Sequence, residues 1–146
     1  MSDFKSDLIF KTYIVRKIEF ERNINYIEKG NGIDIDLKLG HDIKIFGNEM
    51  HVMLNAIVFD KMIEKNYPFK INVIIEGIFE TSNKNIDIFK NNAIAILFPY
   101  IRSLISTYTA NSNVPTLVLP TINVNKYIEE AEKHENQDTQ NNNIEN

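Results

Sequence analysis

The 146-residue chain has no cysteine and no tryptophan, and only five glycines and four prolines. Without cysteine there is no disulfide framework, no thiolate zinc site and no cysteine nucleophile, and a reducing cytoplasm is the compartment such a composition fits best. The glycines (Gly30, Gly32, Gly40, Gly47 and Gly77) form no phosphate-cradling array and none precedes a lysine, which excludes a P-loop and a dinucleotide fingerprint. No uninterrupted apolar run reaches the roughly 18 residues of a membrane helix. The residues Met1 to Lys5 lack the basic-then-apolar order of a secretory signal, so neither a spanning segment nor a cleaved leader is expected. A basic surplus is missing too: the net charge is −4, the wrong sign for a protein that tracks nucleic-acid phosphates.

What is present is a chain of one-domain length, 43% hydrophobic and 25% charged, long enough to bury roughly 68–70% of its unfolded surface. Residues 1–125 carry 14 basic and 14 acidic side chains while residues 126–146 carry 2 and 6, so the whole negative balance lies at the C-terminal end. That end runs out in Gln137, Asp138, Thr139, Gln140 and three asparagines, which offer little apolar surface to offset the entropy of ordering. The expected organisation is a flexible N-terminus over 1–9, one domain over 10–134 and a disordered acidic tail over 135–146.

Up to residue 80 apolar residues alternate and β-branched types dominate, which predicts strands. In the first, Phe10, Thr12, Ile14, Arg16, Ile18 and Phe20 share one parity; residues 22–32, with Tyr26 and Ile27, read as a loop. Ile33, Ile35, Leu37 and Leu39 then alternate with Asp34, Asp36 and Lys38, the pattern of a strand wet on one side. Past a turn at Gly47 and Asn48, a third strand from Met50 toward Glu64 puts Val52, Leu54, Ala56 and Val58 on one face. A fourth puts Phe69, Ile71, Val73, Ile75 and Phe79 on one face. Short connections between them imply an antiparallel sheet.

Beyond Asn83 the period becomes helical. Ile94, Leu97, Phe98, Ile101, Ile105 and Tyr108 form one stripe, and Ala93, Ile96, Tyr100 and Leu104 a second. A helix apolar on two sides can meet a single sheet with only one of them, so the other calls for a second copy of the chain. Pro99 lies inside this helix, where it removes a hydrogen bond and predicts a kink. Asn111 to Pro120 reads as extended. Asn123 is placed to cap a final helix with Val124, Tyr127, Ile128 and Ala131 on its apolar face. The expected class is α+β: a four-stranded antiparallel sheet followed by two helices, the long one at an oligomer interface.

Chemistry-bearing side chains are few. His41, beside Asp42, and His51 lack both the His-Glu-x-x-His spacing of a zinc site and a companion nucleophile; His134 lies in the polar C-terminal stretch. Asp34 and Asp36 on one strand face are the ordinary polar half of an alternating strand. No catalytic set converges, so no enzyme activity, metal or cofactor is expected.

Four collinear motifs carry a resemblance. Leu97-Phe98-Pro99-Tyr100-Ile101-Arg102 resembles the helix signature of the SecB family of export chaperones, and Pro115-Thr116-Leu117-Val118-Leu119-Pro120 is similar to the family's Pro-x-Leu-x-Leu-x-Pro. Glu76-Gly77-Ile78-Phe79 resembles the end of its fourth strand, and Ile18-Glu19-Phe20-Glu21 part of its first. The resemblance spans about residues 10–131.

It implies a cytoplasmic homotetramer, a dimer of dimers, that holds unfolded preproteins without ATP and passes them to the SecA translocation motor, with no direct membrane insertion. The implied client groove is Tyr26, Ile27, Ile33, Ile35, Val124, Tyr127 and Ile128. The implied oligomer interface is Ile71, Val73, Ile75, Leu97, Phe98, Ile101 and Ile105. The family's acidic motor contacts fall by position on Lys17, Glu21, Lys70 and Asn72, where only Glu21 keeps an acid; the acids available on that face are Glu19, Glu21, Glu76 and Glu80. Alternatives are a SecB-like chaperone dedicated to one client, such as an antitoxin, and an interaction scaffold that keeps only the fold.

Overall fold

A computed structural model describes residues 7–82 and 85–144, with the backbone alone for Ile86 and residues 141–144. The elements follow in the order β1 (Leu8–Arg22), β2 (Leu37–Phe46), β3 (Glu49–Val58), β4 (Phe69–Thr81), α1 (Ile86–Ala110) and α2 (Val124–Ile144). The strands form one antiparallel sheet in the spatial order β1-β4-β3-β2, so β1 crosses the sheet to reach β2 through the 23–36 segment.

Alternation along β3 and β4 sends Met50, Val52, Leu54, Ala56 and Val58, and Phe69, Ile71, Val73, Ile75 and Phe79, to the face covered by α1, where all are buried. In β1 the strict parity fails. Register shifts between Phe10 and Thr12 and between Val15 and Lys17 insert extra residues that turn the strand over. Phe10, Tyr13, Ile18 and Phe20 therefore meet the core: Phe10 lies 5.3 Å from Phe79 and Tyr13 4.4 Å from Tyr100, ring centre to ring centre. Ile14 is left exposed opposite Glu76.

α1 starts at Asn85, whose side chain accepts from the Asp87 N–H, and runs unbroken through Pro99. Pro99 is on the exposed side, where water can satisfy the carbonyl of Ala95 that proline leaves unbonded. By length and composition Asp87–Ala110 is apolar enough to cross a membrane, contrary to the expectation from sequence. Here its apolar side is core: Phe89, Ala93, Ile94, Leu97, Phe98, Ile101 and Ile105 are buried.

The proline-bounded segment then returns along α1. Arg102 Nε donates to the Leu119 carbonyl (3.0 Å), Ser106 Oγ to the Leu117 carbonyl (2.9 Å), and the Leu117 N–H to Thr109 Oγ1 (2.9 Å), with Leu119 fully buried. Asn123 caps α2 as expected, its side chain accepting from the Lys126 N–H at 3.0 Å.

Boundaries differ from the sequence reading in four places. β1 begins at Leu8, inside the segment expected to be flexible; residues 1–6 lie outside the described residues. β2 begins at Leu37: Ile33 to Asp36 stay out of the ladder apart from the Asp36 carbonyl, which accepts from the Phe59 N–H. β3 ends at Val58 because Phe59 takes a positive φ of 60° and swings the chain into a turn. α2 continues to Ile144, through most of the stretch expected to be a disordered tail.

Candidate functional site

The 23–36 crossover is pinned to the β3–β4 turn by asparagines. Asn23 donates to the Tyr67 carbonyl (2.9 Å), and the Asn66 side chain pairs with the Ile27 backbone in both directions, accepting from its N–H (3.1 Å) and donating to its carbonyl (2.8 Å). Asn66 can present that amide because it holds a left-handed φ of 52°, a conformation asparagine tolerates. The result is a hollow of about 300 Å³ lined by Tyr26, Ile27, Ile33, Asn66 and Tyr67. Lys29, Asn31, Asp34 and Lys65 line it as well, and the same two segments expose three isoleucines: Ile24 is 87% exposed, Ile27 65% and Ile63 63%.

A second hollow of about 450 Å³ lies farther along the same segment, between β2 and α2, walled by Leu37, Leu39, Tyr127 and Ala131 and rimmed by Lys38, Glu130 and His134. Tyr127 is fixed by a 2.7 Å hydrogen bond to His41 Nδ1. Burial pushes its phenol up to about 12, so the hydroxyl keeps its proton. Burial, followed by Lys90, lowers the His41 pKa.

The residues expected to form one groove thus divide between two hollows joined by the 32–39 stretch. Tyr26, Ile27 and Ile33 line the first and Tyr127 the second. Ile35 is exposed between them. Val124 is half-buried against the core, and Ile128, 5% exposed, anchors α2. Ile24, Ile63, Asn66 and Tyr67 were not expected. Ile24 lies in the segment read as a loop and Ile63 at the end of the strand expected to run toward Glu64, so neither stood out as a site residue.

The other two sets of expected residues are placed as follows. Ile71, Val73, Ile75, Leu97 and Ile101 have no exposed surface within one chain, and Ile105 and Phe98 are also buried. They fill the space between sheet and α1, whose outer side exposes Ile88, Ile96 and Tyr108. On the open sheet face some of the acids are paired. Glu76 is clasped by Arg16 and accepts from His51 Nδ1 (2.8 Å). Glu19 pairs with Lys17 at 3.1 Å, and Glu80 accepts from Asn48. Glu21 is exposed opposite Lys70. Among the described residues no three histidine or acidic side chains gather as metal ligands.

Comparison with known proteins places this geometry. The chain is 37% identical over 127 residues, 82% of its length and 81% of the relative's, to an uncharacterized protein of Methanocaldococcus jannaschii. Its fold is similar to that of a Mycobacterium tuberculosis SecB-like chaperone in complex with a ChAD peptide from an antitoxin, with a TM-score of 0.65, 11% identity and coverage of 80% of this chain and 91% of that one. It is also similar to a Streptococcus agalactiae protein of unknown function, with a TM-score of 0.53, 12% identity and coverage of 78% and 97%. The family model described as preprotein translocase subunit SecB matches residues 7–135, and on that match the chain belongs to the SecB family.

Proposed function

We propose that this SecB family member is an ATP-independent holdase that takes extended apolar segments of unfolded proteins along the 32–39 stretch and its two hollows. The observation that supports this reading best is the concentration of exposed isoleucine at that end of the sheet, Ile24, Ile27 and Ile63 above all. Side chains of this kind stabilise a complex by about 1.5–3 kcal/mol each when fully buried. A few per segment offset the ordering costs only in part, which makes capture reversible without ATP. Repetition of the site in a homotetramer, a dimer of dimers, adds avidity for a long chain. The clients under this reading are preproteins kept unfolded for export in the cytoplasm, with the SecA motor as the receiving partner. Suppression of aggregation of several unrelated unfolded proteins, without ATP, is the test.

A second reading, a chaperone dedicated to one client such as an antitoxin, is favoured by the pairing of Glu19 and Glu76 with basic side chains. A chaperone that serves one client has no need of an acidic dock for a general export motor. Protection of one client and of no unrelated protein would favour it.

A further inference from the structure

α2 meets the body of the protein through its first two turns. Val124, Tyr127 and Ala131 are half-buried and Ile128 is buried, whereas Glu132 to Gln140 are exposed. On the α1 side, Asn91 Nδ2 donates to Asn125 Oδ1 (2.6 Å) and Lys90 Nζ to Glu132 (2.7 Å). On the sheet side the tie is His41 Nδ1 to the Tyr127 hydroxyl at 2.7 Å, with the two rings edge to face and 5.5 Å apart. Tyr127 is a wall of the β2–α2 hollow. A ring held at its tip cannot turn into that hollow, and a wall already in place loses less freedom when a ligand arrives.

We propose that His41 is the positioning residue of this groove: its bond to the Tyr127 hydroxyl latches α2 onto β2 and keeps the groove formed for a client side chain. The proposal rests on the holdase reading above. The charged groups acting on His41 come from every neighbouring element: Lys90 of α1, Asp42 of β2, and Glu132 and Glu135 of α2. Burial and Lys90 outweigh the three acids and favour the neutral imidazole, whose Nδ1 accepts the Tyr127 proton in the tautomer protonated at Nε2. A histidine that is harder to protonate when latched takes up its proton more readily once released, so acidification favours release. Client affinity should fall as pH drops below the ordinary histidine value.

The test uses the full chain and three variants, His41→Phe, Tyr127→Phe and His41→Asn, with two readouts. The first is amide exchange of residues 124–131 without client. The second is affinity for fluorescein-labelled, reduced and carboxymethylated α-lactalbumin, near neutral and at mildly acid pH. Losing one net hydrogen bond should raise exchange and weaken probe binding by roughly three- to tenfold in His41→Phe and Tyr127→Phe. His41→Asn places an amide oxygen where Nδ1 stood; it should keep neutral-pH affinity and lose the acid-dependent drop. Unchanged exchange in both phenylalanine variants overturns the latch. Raised exchange with unchanged probe affinity overturns the positioning role, and an acid drop that persists in His41→Asn overturns the titration. A wild-type chain that does not bind the probe at any pH overturns the holdase reading and the positioning role with it, while the exchange data still decide the latch.

Discussion

Leu97 sets both its methyl groups where a side chain on residue 77 would stand: a Cβ on Gly77 would lie 2.6 and 2.7 Å from Leu97 Cδ2 and Cδ1, and 2.9 Å from the Phe79 ring. Two separate sequence motifs, the fourth-strand glycine and the helix leucine, are therefore one contact that lets α1 lie close on β4. Leu97 and Phe79 are both fully buried, so neither has free volume to move into. Gly77→Ala should destabilise the fold by about 1–3 kcal/mol through overpacking. Chemical denaturation would measure it, and with Leu97→Ala in the same chain the two costs should sum to less than their separate values.

His51 faces carboxylates at both ring nitrogens, Glu76 at 2.8 Å and Glu49 at 3.0 Å. An ionised carboxylate only accepts, so both bonds are met only by the imidazolium. The hydrogen bond to Glu76, then that to Glu49, raises the His51 pKa, and the bond from His51 is the first cause that lowers both carboxyls. The His51 contribution is full below its ordinary 6.5 and is lost as pH rises through the raised value. The carboxylate contribution is full above 4.5 and is lost as pH falls through the lowered values. Thermal stability should crest between those limits, and His51→Gln should flatten the alkaline limb. An alkaline limb of equal slope in that variant would remove His51 as its source.

What the sequence showed, and why it showed neither of these contacts, is a matter of range. Period-two alternation along Val52 to Val58 and Phe69 to Ile75 is local, and it identified β3, β4 and their buried face. The bulges of β1 insert residues without leaving any mark in composition, so the parity of Ile14 and Tyr13 was misassigned. His51, Glu49, Glu76 and Arg16 come together only through strand register, which residue spacing does not encode. Ile71, Val73 and Ile75 were recognised as apolar, but an apolar face alone does not say whether α1 or another chain covers it.

That distinction gives a prediction about assembly. Ile96 is 36% exposed on the outer side of α1, whereas Val73 is fully buried beneath it. Ile96→Asp should leave the monomer folded and shift a tetramer toward smaller species by light scattering. Val73→Asp buries an uncompensated carboxyl at a cost of several kcal/mol and should unfold the chain instead. Loss of assembly with full retention of fold in Val73→Asp would contradict the burial.

Client capture should depend on the isoleucines rather than on fold stability. Ile27 and Ile63 are 65% and 63% exposed, and surface changes of this kind move stability by only about 0.5 kcal/mol. Ile27→Ser with Ile63→Ser should leave the melting temperature almost unchanged and weaken holdase activity several-fold. Equal protection of an aggregating client by wild type and double variant would exclude this end of the sheet as the site.

The motor, if it docks here, meets a mixed surface. Lys17 holds Glu19, Arg16 and His51 hold Glu76, and Lys38 and Lys70 hold Asp60, so the open sheet face offers a basic partner few free acids. The acids of α2, Glu129, Glu130, Glu135 and Asp138, are exposed along a helix that projects beyond its buried turns. Attraction between exposed charges is screened over about 10 Å at 0.1 M salt. Binding to purified SecA should therefore be weak, fall steeply with salt and fall again on deletion of residues 135–146, while holdase activity survives because Tyr127 and Ile128 precede the cut. If the truncated chain binds SecA as tightly as the full one at low salt, the acidic end of α2 serves solubility, and whatever attraction the motor feels must come from Glu21 and the sheet.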